Sequence, residues 1–159
     1  MPVKWEEDEY ATCLTVTSDG TSGPEWVRRL QKRFRKVDPD VRKVLRSGTL
    51  IPTVGVTYKI VVMKGTRWLN GYLTIEVVRH LITNKSLKEP NLEAACLVLE
   101  KFHSLGLFRM MIMHEPIETT SSFPTFLEAW RNGNRLNTSM TYNNMNDSLD
   151  RGYAFVFSL

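Results

Sequence analysis

Apolar residues in the first third of the chain follow a helical period. Val27, Leu30, Phe34 and Val37 recur at spacings of three and four, which is typical of one face of an amphipathic helix. Pro24 suits the first turn of such a helix because it has no backbone N–H to leave unpaired. The pattern therefore predicts a helix that begins near residue 24 and continues to about residue 37.

A second, shorter helix is predicted directly after it. Asp38 can cap this helix, and Pro39 fits its first position. Ser47-Gly48 is expected to end it. Its inward face would consist of Val41, Val44 and Leu45.

Strand-like patterns lie on both sides of these helices. Thr12–Thr17 alternates β-branched residues and could add an edge strand, and Thr49–Thr66 is rich in residues that favour strands. Leu107–Met113 is predicted as a buried strand and Gly152–Ser158 as the final strand. Asn70-Gly71 is the dipeptide most favoured in a two-residue hairpin.

The remaining segments are mixed. Leu73–Thr83 fits either a helix, which we prefer, or a strand that extends the hairpin. Pro116–Asn146 is predicted to be mostly loop, with a short helix at Pro124–Arg131. Pro90 opens a clearer helix that Gly106 would end. One face of that helix would consist of Leu92, Ala95, Cys96, Leu99 and Phe102.

These elements predict an α+β fold, with a small antiparallel sheet packed against two or three helices. The 159 residues, 42% of them hydrophobic and 24% charged, suit one compact domain with a short arm. We divide the chain into an acidic flexible arm at 1–23, a basic helical segment at 24–48 and an α+β core domain at 49–159. Ser18–Gly23 would be a flexible linker at the end of the arm.

Charge is segregated along the chain. Residues 1–25 carry a net charge of −5 and residues 28–46 a net charge of +7, within a total of +4. Such a basic block attracts phosphates of nucleic acid or of anionic lipid, although a solvated helix face is the simpler alternative. The candidate polyanion-binding residues are Arg28, Arg29, Lys32, Arg33, Arg35, Lys36, Arg42, Lys43 and Arg46.

Motifs of catalysis, metal binding and targeting are not evident in the sequence. His80, His103 and His114 have no partner at metal-ligand spacing, and we expect each of them at the surface or at an edge. No nucleophile, base and orienting group assemble, so the sequence indicates neither an enzyme nor a cofactor. Cys13 and Cys96 are expected to be free thiols in a reducing compartment. No apolar run approaches the roughly 20 residues of a membrane span, and the acidic start lacks a secretion signal.

Several apolar side chains admit two interpretations. Trp26 could insert at a membrane interface or pack against the core. The segment Arg151–Phe157 resembles the aromatic strand of an RNA-recognition motif, but a core strand is the better interpretation. Core packing is also the preferred role of Met110, Met111 and Met113.

Asn70-Gly71-Tyr72, followed by Arg79-His80-Leu81-Ile82, resembles a stretch of the rhabdovirus matrix proteins, with a spacing one residue longer. The element order after residue 56 is also similar. The chain lacks the Pro-Pro-x-Tyr motif of the animal-virus members, and its length is closer to that of plant-infecting members. The resemblance implies a non-enzymatic protein of the virion and host cytoplasm that self-associates, binds the nucleocapsid and contacts the inner membrane leaflet peripherally.

Two function classes therefore stay open. The first is a matrix-like structural protein that bridges nucleocapsid and anionic membrane, with self-association through the arm and through residues 114–148. The alternative is an RNA-binding regulatory protein, such as a viral silencing suppressor, that uses the same basic helix. RNA affinity that falls steeply with salt, in the absence of lipid binding, would favour the alternative.

Overall fold

A computed structural model describes residues 11–64, 87–115, 117–118, 124–140 and 153–159. The described helices are α1 (Gly23–Arg33), α2 (Pro39–Arg46) and α3 (Leu92–Glu100), and a 3₁₀ turn follows at Phe102–Leu105. The described strands are β1 (Ala11–Asp19), β2 (Lys36–Val37), β3 (Val54–Lys64), β4 (Arg109–Ile112), β5 (Ile117–Glu118), β6 (Pro124–Trp130), β7 (Arg135–Met140) and β8 (Tyr153–Ser158).

The strands form one mixed sheet in the order β1-β3-β8-β4-β6-β7-β2, and β5 pairs with β6 beside this path. Most neighbours are antiparallel, but β8 pairs with β4 and β7 pairs with β2 in parallel. The mixture of helices and sheet is confirmed. The expectation of a small antiparallel sheet is wrong, because eight strands take part and two pairs are parallel.

The two N-terminal helices form where the sequence predicts them. Ser22 caps α1 by accepting from the backbone N–H of Glu25, and Asp38 caps α2 by accepting from that of Asp40. α1 ends at Arg33 because the chain becomes extended at Phe34. Val37 therefore lies in β2 and not in the helix, although its side chain is buried as predicted.

α3 is buried on all sides and not only on the predicted face. Asn91 caps it, and every residue from 92 to 99 is buried. The α-helix ends at Glu100, and the chain continues as a 3₁₀ turn until Gly106, which adopts a left-handed φ of 68°. The helix thus lies in the centre of the layer that covers one sheet face.

Both faces of the central strands are buried. In β3, Ile60 and Val62 belong to the core that contains the helices, whereas Val61 and Met63 belong to a second core on the opposite face. The same alternation runs through β4 and β8. It explains why these strands are continuous apolar runs, which is typical of strands buried on both faces. Phe155 and Phe157 lie in the second core, so the core interpretation of the final strand is confirmed.

The segment predicted as loop with a short helix is a β-hairpin. β6 and β7 pair from Thr125↔Met140 to Trp130↔Arg135, across a turn at residues 131–134. The sequence Phe-Leu-Glu-Ala-Trp has good helix formers, but pairing with β4 and β7 overrides that local preference. The helix prediction at Pro124–Arg131 is therefore wrong.

The edge-strand prediction near the N-terminus is confirmed and extended. β1 covers residues 11–19 and pairs with β3 from Ala11↔Met63 to Asp19↔Val54. Residues 11–23 thus belong to the sheet and its connection to α1, not to a loose arm or linker. Residues 1–10, the hairpin at Asn70-Gly71 and the segment Leu73–Thr83 lie outside the described residues.

Candidate polyanion-binding site

Two of the nine predicted bases, Arg29 and Arg42, are half-buried in the structure. The other seven are exposed and separate into three groups. Arg28 and Lys32 lie one turn apart on α1, while Lys43 and Arg46 lie on the last turn of α2. The third group consists of Arg33, Arg35 and Lys36, at the end of α1 and in β2. The basic block is therefore not a single helix face.

Arg29 contributes to the fold more than to a binding surface. Its Nε and Nη2 donate to the two carboxylate oxygens of Glu100 at 2.8 and 2.6 Å, and its Nη1 donates to Asp19 at 2.6 Å. Its guanidinium also lies 4.1 Å from the centre of the Trp26 ring. The paired carboxylate of Glu100 raises the pKa of Arg29 further. The charge of Arg29 is thus already paired with two carboxylates, and its predicted role as a polyanion ligand stays a prediction.

The β6–β7 turn places two further bases beside the third group. Lys36 and Arg135 are direct partners in the parallel pair of β2 and β7. Arg131 lies at the start of the turn, and the backbone N–H of Arg131 donates to the carbonyl of Phe108 at 2.9 Å. We call this set of five exposed bases the basic edge. It consists of Arg33, Arg35, Lys36, Arg131 and Arg135.

Asn134 holds the basic edge together. Its Nδ2 donates to the Arg33 carbonyl at 3.1 Å, and its own carbonyl accepts from the Lys36 N–H at 3.3 Å. Its Oδ1 lies 2.6 Å from Nε2 of His103. Because the amide nitrogen already donates, the oxygen must accept, and Nε2 of His103 carries a proton. One residue thus connects the end of α1, the start of β2 and the 3₁₀ turn.

The turn geometry explains why Asn134 can do this. Gly133 and Asn134 adopt left-handed φ values of 77° and 49°. Glycine enters that region at no steric cost, and asparagine enters it more readily than most residues. A Cβ at Gly133 would lie 2.9 Å from Nε of Arg135, so that side chain passes directly over the glycine. The turn therefore fixes the direction of Arg135 as well as the backbone.

Three bases and one aromatic residue lie in one row across the sheet. Lys36, Arg135, Trp130 and Arg109 are successive register partners through β2, β7, β6 and β4. Direct partners project from the same face of a sheet. The guanidinium of Arg109 stacks over the Trp130 ring, 3.6 Å from its centre. This row begins at the basic edge and runs inward on the face opposite the helices.

No carboxylate of the described residues forms an ion pair with the basic edge. Asp38 is the nearest acid in sequence, and its carboxylate accepts from the backbone N–H of Asp40 as a helix cap. Glu100 and Asp19 are both paired with Arg29. Within the described residues, the five charges of the basic edge are therefore exposed and have no ion-pair partner within 4.0 Å.

One expectation about a single side chain is wrong, and for Trp26 the structure decides between two open alternatives. His114 is buried and not at the surface, since Leu127 N–H donates to its Nε2 at 2.9 Å and its Nδ1 donates to the Glu115 carbonyl at 2.6 Å. Trp26 has no exposed surface, so it packs in the core and does not reach a membrane interface. The buried roles of Met110, Met111 and Met113 are confirmed.

The thiol prediction is confirmed for both cysteines. Cys13 and Cys96 are free. Cys13 packs against the second core, while Cys96 lies in the core of the helical face. Burial raises the pKa of the Cys96 thiol well above its ordinary value, which makes it a poor nucleophile.

Sequence reasoning missed Arg131, Asn134 and Arg135. The signal was present, because Arg-Asn-Gly-Asn-Arg places residues that tolerate left-handed φ values between two bases. Asn and Gly between two segments of alternating apolar and polar residues indicate a hairpin. A predicted hairpin here would have implied that Arg131 and Arg135 lie close together at its turn. Their position beside Lys36 depends on the pairing of β2 with β7. Because β2 has only two residues, its sequence does not predict this pairing.

Within the described residues, no helix is long and apolar enough to cross a membrane. No group of three His, Cys, Asp or Glu side chains in those residues is placed to hold a metal ion. Comparison of the chain with protein-family models, curated proteins and solved structures found no match. The proposal of function therefore depends on the geometry of the site.

Proposed function

We propose that this chain is a non-enzymatic structural protein of the viral matrix type, which binds the nucleocapsid and an anionic membrane and self-associates. The observation that supports it best is the basic edge, where five exposed bases from two distant segments converge around Asn134. Phosphates contribute most of the affinity in such contacts, because each neutralised phosphate releases counterions. The nucleocapsid RNA is the polyanion that we assign to this edge.

The arrangement suits RNA in particular because aromatic rings accompany the bases. Trp130 lies between Arg109 and Arg135 in the cross-strand row, and Phe108, next to Arg109, has 57% of its surface exposed. Single-stranded nucleic acid is held by a basic groove together with rings on which bases stack.

The test is RNA binding by the full chain. Fluorescence anisotropy with a labelled single-stranded RNA is measured for the wild type and for an Arg131→Glu, Arg135→Glu double variant. We expect the double variant to lose at least about tenfold in affinity at low salt, since each reversed charge replaces an attraction by a repulsion. Equal affinity of the two proteins would contradict the proposal.

A matched variant separates the site from the net charge. Lys59 and Lys88 are exposed bases near the other end of the sheet, on β3 and beside β8. Lys59→Glu, Lys88→Glu changes the total charge by the same amount as the edge variant. RNA affinity should change by less than about threefold in this control. An equal loss in both variants would show that only the total charge matters.

The alternative is an RNA-binding regulatory protein, such as a silencing suppressor. The same cross-strand row favours it, because the row requires no membrane. A suppressor would prefer duplex RNA and would not float with phosphatidylserine vesicles. Preference for single-stranded RNA, flotation with such vesicles and concentration-dependent sedimentation of the chain would together favour the matrix-like function.

A further inference from the structure

The most exposed aliphatic side chains of the described residues lie close together in the chain. Ile51 and Val54 have 76% and 79% of their surface exposed, and Val56 has 41%. They lie within six residues, in the connection from α2 to β3 and in the first residues of β3. We call these three residues the apolar tip. Single exposed apolar residues are ordinary, whereas three within six residues form a candidate interaction surface.

The fold holds the apolar tip in its exposed position. Glu93 is buried and accepts from both the backbone N–H and the hydroxyl of Thr53, at 2.6 and 2.5 Å. The Thr53 carbonyl accepts from Gly20 N–H at 2.8 Å. Ser18 accepts from the N–H of Val56 at 3.0 Å. The backbone is thus fixed within and beside the tip, and Leu50 anchors the preceding loop in the core.

Exposed bases accompany the apolar tip. Lys43 and Arg46 lie on the last turn of α2, directly before the loop that carries Ile51. Asp19 is the register partner of Val54, but its charge is paired with Arg29. Two exposed bases therefore precede the apolar tip by a few positions in the chain.

We propose that the apolar tip inserts into an anionic lipid bilayer, with Lys43 and Arg46 on the lipid phosphates. Aliphatic side chains gain by transfer from water to the acyl region, and bases near the surface gain from anionic headgroups. Stable peripheral attachment needs two such signals, and this surface supplies both. The inference rests on the membrane part of the proposed function and assigns it a place in the fold.

The area and the position of the tip favour a bilayer over a second copy of the chain. Three aliphatic side chains expose a few hundred Å² at most, whereas a stable protein interface buries about 800 Å² on each partner. The tip also lies at the β1–β3 end of the sheet, five strand steps from β2, or about 24 Å at the usual strand spacing. The apolar tip and the basic edge therefore lie near opposite ends of one sheet.

Vesicle flotation tests this proposal on the full chain. The variant Ile51→Ser, Val54→Ser is compared with wild type on phosphatidylserine-containing and on pure phosphatidylcholine vesicles. We expect the variant to lose at least about tenfold in partitioning to the anionic vesicles, since two aliphatic groups no longer insert. Leu159→Ser alters another exposed apolar side chain of the described residues and should bind as wild type does.

The outcomes keep this proposal separate from the proposed function. Wild-type binding by the tip variant, or no binding of the wild type to anionic vesicles, would overturn the insertion. A sedimentation shift from dimer to monomer in the tip variant would assign the tip to self-association and would overturn it too. RNA binding through the basic edge should be unchanged in the tip variant, so failure of one proposal does not imply failure of the other.

A fluorescent probe measures directly whether the apolar tip enters the bilayer. An environment-sensitive dye is attached to Val54→Cys in a Cys13→Ser background, where the remaining Cys96 is buried. Its emission should shift to the blue and resist aqueous quenchers when anionic vesicles are added. The same dye at Lys88→Cys should stay in water. Equal behaviour of both positions would contradict insertion at the tip.

Discussion

The guanidinium of Arg29 contacts two carboxylates, a hydroxyl and an indole ring. Loss of these charge-assisted hydrogen bonds in Arg29→Ala should lower the free energy of unfolding by about 2 kcal/mol, since partial exposure reduces their full worth. Urea denaturation measures this. Arg28→Ala, which removes an exposed charge one position away, should change stability by less than about 0.5 kcal/mol. Similar losses in both variants would contradict the structural role of Arg29.

Asp19 makes part of this stability depend on pH. The hydroxyl of Thr21 and the guanidinium of Arg29 donate to the Asp19 carboxylate and lower its pKa. A lowered pKa contributes stability above the unfolded value of about 3.9. That contribution is lost as the pH falls through the folded value. We expect the unfolding free energy of wild type to fall more steeply below about pH 4 than that of Asp19→Asn. Parallel curves of unfolding free energy against pH for the two proteins would show that Asp19 contributes no pH-dependent stability.

At the scale of elements, α1 and α2 approach each other at a glycine. A Cβ at Gly23 would lie 1.8 Å from the backbone carbonyl oxygen of Leu45, and that oxygen cannot move without α2. Gly23→Ala should therefore separate the helices and cost about 2–3 kcal/mol, as overpacking of a core does. Thermal unfolding measures the loss. Gln31→Ala, on the exposed side of α1, should leave stability nearly unchanged.

The contact between α1, β2 and the β6–β7 turn depends on the Asn134 side chain. Asn134→Gly keeps the left-handed φ of the residue but removes the hydrogen bonds to Arg33 and His103. We expect a loss of about 1–2 kcal/mol in stability and weaker RNA binding, although no charge changes. Anisotropy and urea denaturation on the same protein measure both. Unchanged RNA affinity would mean that the basic edge does not need this support.

At the scale of the whole molecule, the sequence predicted those helices and strands whose formation depends on residues close together in the chain. The start of α1 near Pro24, the Asp38 cap of α2, the strands β3, β4 and β8, and the edge strand β1 follow from periodicity and from helix-start residues. The β6–β7 hairpin did not, because Leu, Glu and Ala favour a helix until neighbouring strands supply partners. The parallel pairs β8–β4 and β7–β2 join segments far apart in sequence, which no short window of the chain reveals.

The candidate site was predictable in part for the same reason. Seven of the nine predicted bases are exposed, but Arg29 is taken by carboxylates that lie 10 and 71 positions away in the chain. The basic edge adds Arg131 and Arg135, which only the sheet brings beside Lys36. Counting charges along the sequence therefore identifies the basic residues. Ion pairs formed in the tertiary structure determine which of these residues are available to a ligand.

The salt dependence of RNA binding measures how many of those bases meet phosphates. Each phosphate neutralised on a single strand contributes about −0.7 to the slope of log K against log salt. If all five bases of the basic edge take part, the slope should be about −3.5. Arg131→Ala, Arg135→Ala should make it shallower by about 1.4, whereas Lys59→Ala, Lys88→Ala should leave it unchanged. A steep slope that the edge variant does not reduce would place the phosphates on the exposed bases of α1 and α2 instead.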